Sequence, residues 1–133
     1  MNTNMELMLK VSPMTTPTIV RTEASREGLE KALGGKVAEE VKFPLNDGGY
    51  AYIALLDQTD PALKPNRLFR DCVDHSPFVI KGDFVIYGKD ESGSISRLPS
   101  DKRGLSVFWT PQQIVTQPDG SFTVKNTSIF AFG

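Results

Sequence analysis

The chain has 133 residues, with 15 Lys and Arg against 16 Asp and Glu and a formal net charge of -1 at pH 7. This length fits one domain with a hydrophobic core, and the balanced charge excludes the basic surface that a nucleic-acid polymer or an anionic membrane would favour. The longest apolar runs are far shorter than a membrane span, and the amino-terminal residues lack the pattern of a secretory signal. We therefore expect a soluble cytoplasmic protein.

Residues 1–16 are open to two interpretations. MELMLKV alternates only in part between apolar and polar residues, and it is flanked by Asn, Thr and Pro. The segment is therefore predicted to be either a first strand or an N-terminal arm. Residues 17–133 are predicted to form a single α+β domain.

One helix is predicted after a strand near the amino terminus. TIVRT, residues 18–22, is typical of a strand. Ser25 then provides the side chain of a helix cap, Leu29 and Leu33 recur on one face, and Gly34 provides the stop. We expect a short amphipathic helix that covers a sheet.

Three hairpins are predicted from turn residues between extended runs. Asn, Asp and two Gly at 46–49 separate VAEEVKF from YAYIALL, and this composition tolerates the positive φ of a tight turn. FVIYGKDESGSISRL is expected to turn at 90–93, and IVTQPDGSFTV at 118–120, where Pro and Gly suit the second and the left-handed turn positions. Residues 110–117 remain open between helix and strand, because a capping box with Pro at the first helical position precedes the last hairpin.

These patterns together predict an α+β fold dominated by strands: a twisted antiparallel or mixed sheet of hairpins with one short amphipathic helix packed on it. The last residues, TSIFAFG, suit an edge or closing strand. Because small strand-rich domains often cover a sheet edge by pairing, we also expect a homo-oligomer.

No catalytic signature is present in the sequence. There is no phosphate-binding Gly-rich loop with Lys, no pair of metal-binding histidines and no cysteine cluster. Cys72 and His75 would need a helical spacing to act as a nucleophile pair, which Pro77 disfavours, so Cys72 is interpreted as a small packed hydrophobe. The sequence therefore predicts a protein that is not an enzyme, with no metal and no cofactor.

A candidate ligand cradle lies in KPNRLFRDCVDHS, residues 64–76. Arg67 and Arg70 carry planar forks of donors that suit phosphate or carboxylate, and they project from one rim if Leu68 and Phe69 turn inward. Asn66 and His75 add further polar contacts. These four residues predict a site for an anionic or nucleotide-derived small molecule. The alternative is that both arginines form surface ion pairs with nearby carboxylates such as Asp71 and Asp74.

Three further residues are secondary candidates for the ligand site. Gly82 interrupts the apolar strand pattern PFVIKGDFVIYG, which is typical of a bulge or of a close approach by backbone or ligand, and Lys81 flanks it. Trp109 offers a ring for stacking on a base, although its neighbours Val107 and Phe108 favour core packing.

Several motifs resemble those of a family of small proteins from phages, plasmids and conjugative elements that is known as a domain of unknown function. They are the helix that ends in Gly34-Gly35, the element Pro65-Asn66-Arg67, and the strand from Ile80 to Gly88 with Gly82, Phe84 and Ile86. The resemblance covers roughly residues 20–109. It implies no activity, but it implies an accessory protein that counters host defence.

Three functions are compatible with these observations. The first is a non-enzymatic protein that sequesters a nucleotide-derived or other anionic signalling ligand through Asn66, Arg67, Arg70 and His75. The second is a protein-protein inhibitor of a host defence protein, which would bind through an exposed strand edge or an apolar patch. The third is a small enzyme that acts on a nucleotide signal with His75 and Asp71 as acid and base.

Overall fold

The computed structural model describes residues 5–45, 49–70, 77–100, 105, 108–109 and 111–126; for residues 69–70, 77–78, 112, 116, 122 and 125–126 it describes the backbone alone. The elements whose bounds the structure describes are, in chain order, β1 (Met5–Val11), β2 (Thr18–Glu23), α1 (Arg26–Leu33), β3 (Glu39–Pro44), β4 (Tyr50–Leu55), β5 (Pro65–Arg70), β6 (Pro77–Lys81), β7 (Phe84–Lys89), β8 (Ile95–Ser96), β9 (Gln112–Thr116) and β10 (Phe122–Asn126).

A central antiparallel sheet organises the fold. Its strand order is β2-β1-β7-β4-β3, and the short β8 pairs with β7. Two hairpins form separate two-stranded sheets, β5 with β6 and β9 with β10. The prediction of a strand-dominated α+β fold with one packed helix is confirmed. Strand β2 is an edge of the central sheet, because in the described part of the chain it pairs only with β1.

Helix α1 begins and ends where the sequence predicts. The Ser25 side chain accepts a hydrogen bond from the Gly28 N–H at 3.0 Å, and Gly34 closes the helix in the left-handed conformation with φ of 82°. Close approach to β2 requires glycine at position 28, because a Cβ there would lie 2.0 Å from the Glu23 carbonyl oxygen. The helix can therefore lie flat on the sheet.

The central sheet buries apolar side chains on both faces. On one face α1 packs Leu29 and Leu33 over a cluster of sheet residues: Met8, Ala54, Val85 and Tyr87. The other face is covered by residues from the loops and from β6, among which Phe108 contacts the rings of Phe43 and Phe84 at centroid distances of 5.0 and 5.7 Å. Alternation along each strand supplies the two apolar sets.

The segments that the sequence left open have definite structures where they are described. Residues 5–11 form strand β1. Residues 112–116 form strand β9, which pairs with β10 through the predicted turn at 118–120, where Gly120 has φ of 90°. Residues 46–48 of the first predicted turn, and the predicted closing strand at 127–133, lie outside the described residues.

Candidate functional site

The Asn66 and Arg67 side chains are buried inside the protein, with 0% and 1% of their surface exposed. Asn66 Nδ2 donates to the carbonyl oxygens of Val11 at 3.0 Å and Gly82 at 2.8 Å. Arg67 Nε donates to the Phe108 carbonyl at 3.2 Å, and Nη2 donates to the Thr15 carbonyl at 2.7 Å. These bonds join the β1–β2 connection, the turn before β7 and the segment at 108.

The two side chains also bind each other, so they form one unit that we call the Asn66–Arg67 clamp. Arg67 Nη1 donates to Asn66 Oδ1 at 2.9 Å and to the Asn66 carbonyl at 3.2 Å. Burial lowers the pKa of the Arg67 guanidinium to about 10, which leaves it protonated at neutral pH. The arrangement in which Arg67 projects from an open rim is not observed, because protein oxygens accept the hydrogen bonds of its fork.

The other residues of the predicted cradle are only partly described. Arg70 lies at the end of β5, opposite Pro77, but its side chain is outside the described structure. His75, Cys72, Asp71 and Asp74 lie outside the described residues altogether. Their predicted roles, in a ligand site or in ion pairs, therefore stay predictions.

The sequence pattern indicated that Gly82 interrupts a strand. In the structure it lies instead in the connection between β6 and β7, two strands that belong to different sheets. Its φ is 75°, and its N–H donates to the Lys64 carbonyl at 2.8 Å. A Cβ at this position would lie 2.9 Å from a methyl carbon of Leu63. The close approach therefore comes from a leucine side chain. The backbone of the neighbouring Lys81 is held by both polar atoms of the Gln58 side chain, at 2.7 and 3.0 Å.

Trp109 is on the surface, with 46% of its side chain exposed, so the preference for core packing is wrong. Its neighbour Phe108 takes the buried position with 0% exposure. An aromatic pair that packs one ring inward leaves the adjacent ring outside, and the sequence alone did not decide which ring that would be.

Trp109 lines an apolar groove with a volume of about 610 Å³, which we call the Trp109 groove. Its other described lining residues come from β1, β2 and the segment after β8: Leu7, Ile19, Arg97, Leu98, Pro99, Ser100 and Leu105. Leu7 and Ile19 are 47% and 49% exposed. Exposed apolar side chains around one groove are a candidate binding surface.

Strand register brings Leu7 and Ile19 to the same face. In the β1–β2 ladder Leu9 pairs with Ile19 and Leu7 pairs with Arg21, and residues that pair across a ladder lie on one side of the sheet. Leu9 is buried under the loops that cover this face, whereas Leu7 and Ile19 lie beyond that cover. The groove is thus the margin of the sheet face, near edge strand β2, that the described loops leave uncovered.

The segment after β8 forms the opposite wall of the groove. The Leu98 N–H donates to the Leu7 carbonyl at 2.8 Å, which fixes this segment beside β1. The segment after β8 also passes close to β7, because a Cβ at Gly88 would lie 2.4 Å from the Arg97 carbonyl oxygen. Glycine at position 88 therefore allows the backbone of the segment after β8 to approach β7 this closely.

Arg97 is the charged residue among the described residues that line the groove. Arg21 lies on the same sheet face opposite Leu7, but it lines a separate pocket together with Glu23 and Glu27. Both side chains are exposed, and neither forms an ion pair with another side chain that the structure describes. The groove therefore combines an apolar floor with one guanidinium group, that of Arg97.

A second group of polar and aromatic side chains lies on the helix-covered face of the sheet. Tyr87 donates to Glu40, whose other carboxylate oxygen accepts from Lys89 Nζ at 2.8 Å. Lys89 Nζ also lies 4.6 Å from the centre of the Tyr52 ring. Burial and the Glu40 hydrogen bond raise the pKa of the Tyr87 hydroxyl well above its usual value. The members of this group satisfy one another, which indicates a structural role.

The residues of the Trp109 groove were not identified from the sequence, with the exception of Trp109 itself. A partial signal was present, because Leu7 continues the apolar positions of Leu9 and Val11 along β1. Which of these positions would lack a cover depends on how far the loops after β8 extend, and a periodic pattern does not contain that information.

Two further site types are not found in the described part of the chain. No group of three or more His, Cys, Asp or Glu is arranged there to hold a metal ion. None of the helical segments that the structure describes is long and apolar enough to span a membrane.

Comparison with protein-family models finds no match, and comparisons with curated proteins and with solved structures find no significant match either.

Proposed function

We propose that this chain is a non-enzymatic binding protein that takes an extended apolar segment of a partner protein into the Trp109 groove. The observation that carries the proposal is the exposure of Leu7, Ile19 and Trp109 around one groove. Because each of these side chains is about half exposed, its complete burial by a partner contributes roughly 1 kcal/mol, and several such anchors together support specific binding.

The position of the groove favours an extended partner segment. It adjoins β2, an edge strand whose outer side lacks a neighbour in the described structure. A peptide that adds to such an edge gains main-chain hydrogen bonds and directs alternate side chains towards one sheet face. On β2 that face carries Ile19. Arg97 favours an acidic residue beside the apolar anchors, because complementary charge increases the association rate and the specificity.

The identity of the partner is inferred from the family resemblance alone. That resemblance favours a host defence protein, which this chain would inhibit by occupying its surface. Sequestration of a nucleotide-derived or anionic ligand stays a prediction as well. Such a ligand would have to be bound by groups other than the Asn66–Arg67 clamp, whose donors bind protein oxygens.

Selection from a displayed peptide library tests the proposal. Trp109 is the only tryptophan of the chain, so its fluorescence reports on the groove directly. Peptides that bind there should carry apolar residues flanked by carboxylates, and they should shift the Trp109 emission to shorter wavelength as water is displaced from the ring.

Two matched substitutions locate the binding. Ile19 and Val115 are 49% and 48% exposed, but only Ile19 lines the groove. Ile19→Lys should weaken the binding of the selected peptides by about 10-fold, because it removes one half-exposed apolar anchor and introduces a charge into the groove, and Val115→Lys should leave their affinity unchanged. Equal losses in both variants, or a library that yields no binder, would contradict the proposal.

A further inference from the structure

The two edges of the central sheet differ in how they are protected against pairing with another chain. Strand β3, at one edge, carries Glu39, Glu40 and Lys42 and ends in Pro44, and charged residues and proline are typical of edges that avoid further pairing. Strand β2, at the other edge, reads TIVRTE, with four β-branched residues and no proline. Its six pairs with β1 run without a bulge. Among the described strands, β2 is therefore the edge that is suited to an additional strand.

The charged side chains beside this edge carry both signs. A pocket of about 500 Å³ is lined by Lys10, Arg21 and Lys31 and also by Glu23 and Glu27. Arg21 and Glu23 lie on β2 itself, and neither forms an ion pair with a side chain that the structure describes. A partner with charges of one sign would be repelled by part of this surface. A second copy of the chain carries both signs in the same arrangement, and a two-fold interface brings a surface patch against itself.

Two-fold symmetry limits how β2 can pair with β2 of a second copy. The axis of such an antiparallel pair is perpendicular to the sheet, and residues that pair lie on the same face, so the ladder is centred on a single residue. Centring on Arg21 places two arginines opposite each other, and centring on Val20 places Arg21 opposite Ile19. Centring on Thr22 places Arg21 opposite Glu23 and, by symmetry, Glu23 opposite Arg21. This register alone forms two ion pairs.

We propose that β2 pairs antiparallel with β2 of a second copy, centred on Thr22, and that this dimer competes with the partner segment for the same edge. The central sheets of the two copies then form one continuous sheet, in which main-chain groups on the outer side of β2 are hydrogen-bonded. Because the axis is perpendicular to the sheet, both Trp109 grooves lie on one face of it. The competition rests on the proposed function, whereas the dimer does not depend on it.

Sedimentation equilibrium of the complete chain tests the dimer. The wild type should be a dimer at high concentration and should dissociate on dilution. Arg21→Glu places carboxylates opposite each other at both symmetric positions, and Glu23→Arg does the same with guanidinium groups. Each variant should therefore raise the dissociation constant at least about tenfold. A wild type that stays monomeric, or variants that dimerise as tightly as the wild type, would overturn the inference.

A mixture of the two variants tests the register. In equimolar Arg21→Glu and Glu23→Arg each charge meets its opposite in the other chain, so a heterodimer should form at least about tenfold more tightly than either variant with itself. Such mutual restoration also shows that both variants fold. Glu39→Lys reverses one exposed charge on β3, at the other edge, and should leave the dissociation constant of the dimer unchanged. A mixture that stays monomeric, or loss of the dimer in Glu39→Lys, would reject the proposed pairing.

Peptide binding separates this inference from the proposed function. Library-selected peptides should convert the wild-type dimer into monomers, and their apparent affinity should fall as the protein concentration rises. Peptides that bind while the dimer stays intact would overturn the competition. A monomeric wild type that binds the peptides would overturn the inference and leave the proposed function standing. A dimer with the expected charge dependence, from a chain that binds no library peptide, would support the dimer and reject the proposed function.

Discussion

The Asn66–Arg67 clamp and the Trp109 groove show the reverse of the usual burial pattern: the polar residues of the clamp are buried, and the apolar residues of the groove are exposed. The clamp buries a guanidinium and a carboxamide completely, whereas the groove leaves Leu7, Ile19 and Trp109 half-exposed. Charged residues are rarely buried unless their hydrogen bonds are satisfied, and the clamp meets that condition with carbonyl oxygens from separate segments. Polar residues thus support the fold here, and apolar residues form the candidate binding surface.

This difference shows how hydrogen bonding decides the role of a polar residue. The Arg67 fork is well suited to an external anion, but carbonyl groups of Thr15 and Phe108 bind it from inside. Those carbonyls would otherwise need other donors, because an unpaired buried polar group costs about 1–3 kcal/mol. The number of internal acceptors that converge on an arginine is therefore the property that separates a clamp from a cradle.

Removal of Arg67 should have the largest effect on stability. Arg67→Ala removes the donor that binds the carbonyl oxygens of Thr15 and Phe108 and Asn66 Oδ1, and it opens a cavity in place of the largest side chain that is fully buried among the described residues. We expect a loss of about 3–5 kcal/mol in the free energy of unfolding, measured by chemical denaturation.

Arg97→Ala is the matched control for this prediction, because Arg97 is exposed at the groove. Its effect on unfolding should lie within about 0.5 kcal/mol. If instead Arg67→Ala were as stable as the wild type and lost the binding of an anion, the clamp interpretation would be wrong and the ligand cradle would be favoured.

A methyl group at position 88 should disturb the groove with a smaller cost to the fold. In Gly88→Ala the new Cβ would lie 2.4 Å from the Arg97 carbonyl oxygen, so the groove wall must move. We expect about 1–3 kcal/mol of destabilisation, together with a changed Trp109 emission.

Gly35→Ala is the control for this wall. There a Cβ would lie 2.8 Å from a methyl carbon of Leu56, and a flexible side chain moves more easily than a backbone carbonyl. A Gly88→Ala protein with wild-type stability and wild-type emission would show that the segment after β8 does not form the wall of the groove.

The fold was largely predictable because its elements follow local chemistry. Ser25 and Gly34 were predicted to start and end the helix, and they do so in the structure. Gly120 was predicted to lie in the last turn, and it does. The strand order of the central sheet was not predictable, since β7 lies between β1 and β4 and no local pattern specifies pairing between such distant segments. Residues 112–116 were left open for a different reason: a helix-capping pattern and a hairpin pattern overlap there, and in the structure the hairpin with β10 forms.

The candidate site was much less predictable than the fold. Sequence analysis identified Asn66 and Arg67 by their hydrogen-bonding capacity, but the carbonyl groups that bind them come from positions 11, 15, 82 and 108. Only the tertiary structure brings those positions together. Trp109 was identified as a secondary candidate, and its exposure depends on which neighbour enters the core.

The smallest expected effect on stability is that of substituting Ile19, whose cross-strand partner Leu9 should by contrast be sensitive to substitution. Leu9 and Ile19 face each other in the β1–β2 ladder, yet Leu9 is 0% exposed and Ile19 is 49% exposed. Leu9→Ala should lower the free energy of unfolding by about 2–5 kcal/mol, as for other buried leucines. Ile19→Ala should change it by no more than about 0.5–1 kcal/mol, because half of that side chain already contacts water. Thermal and chemical denaturation of both variants measure the contrast. Equal losses would mean that Ile19 is buried in solution, which requires that the groove be filled by protein.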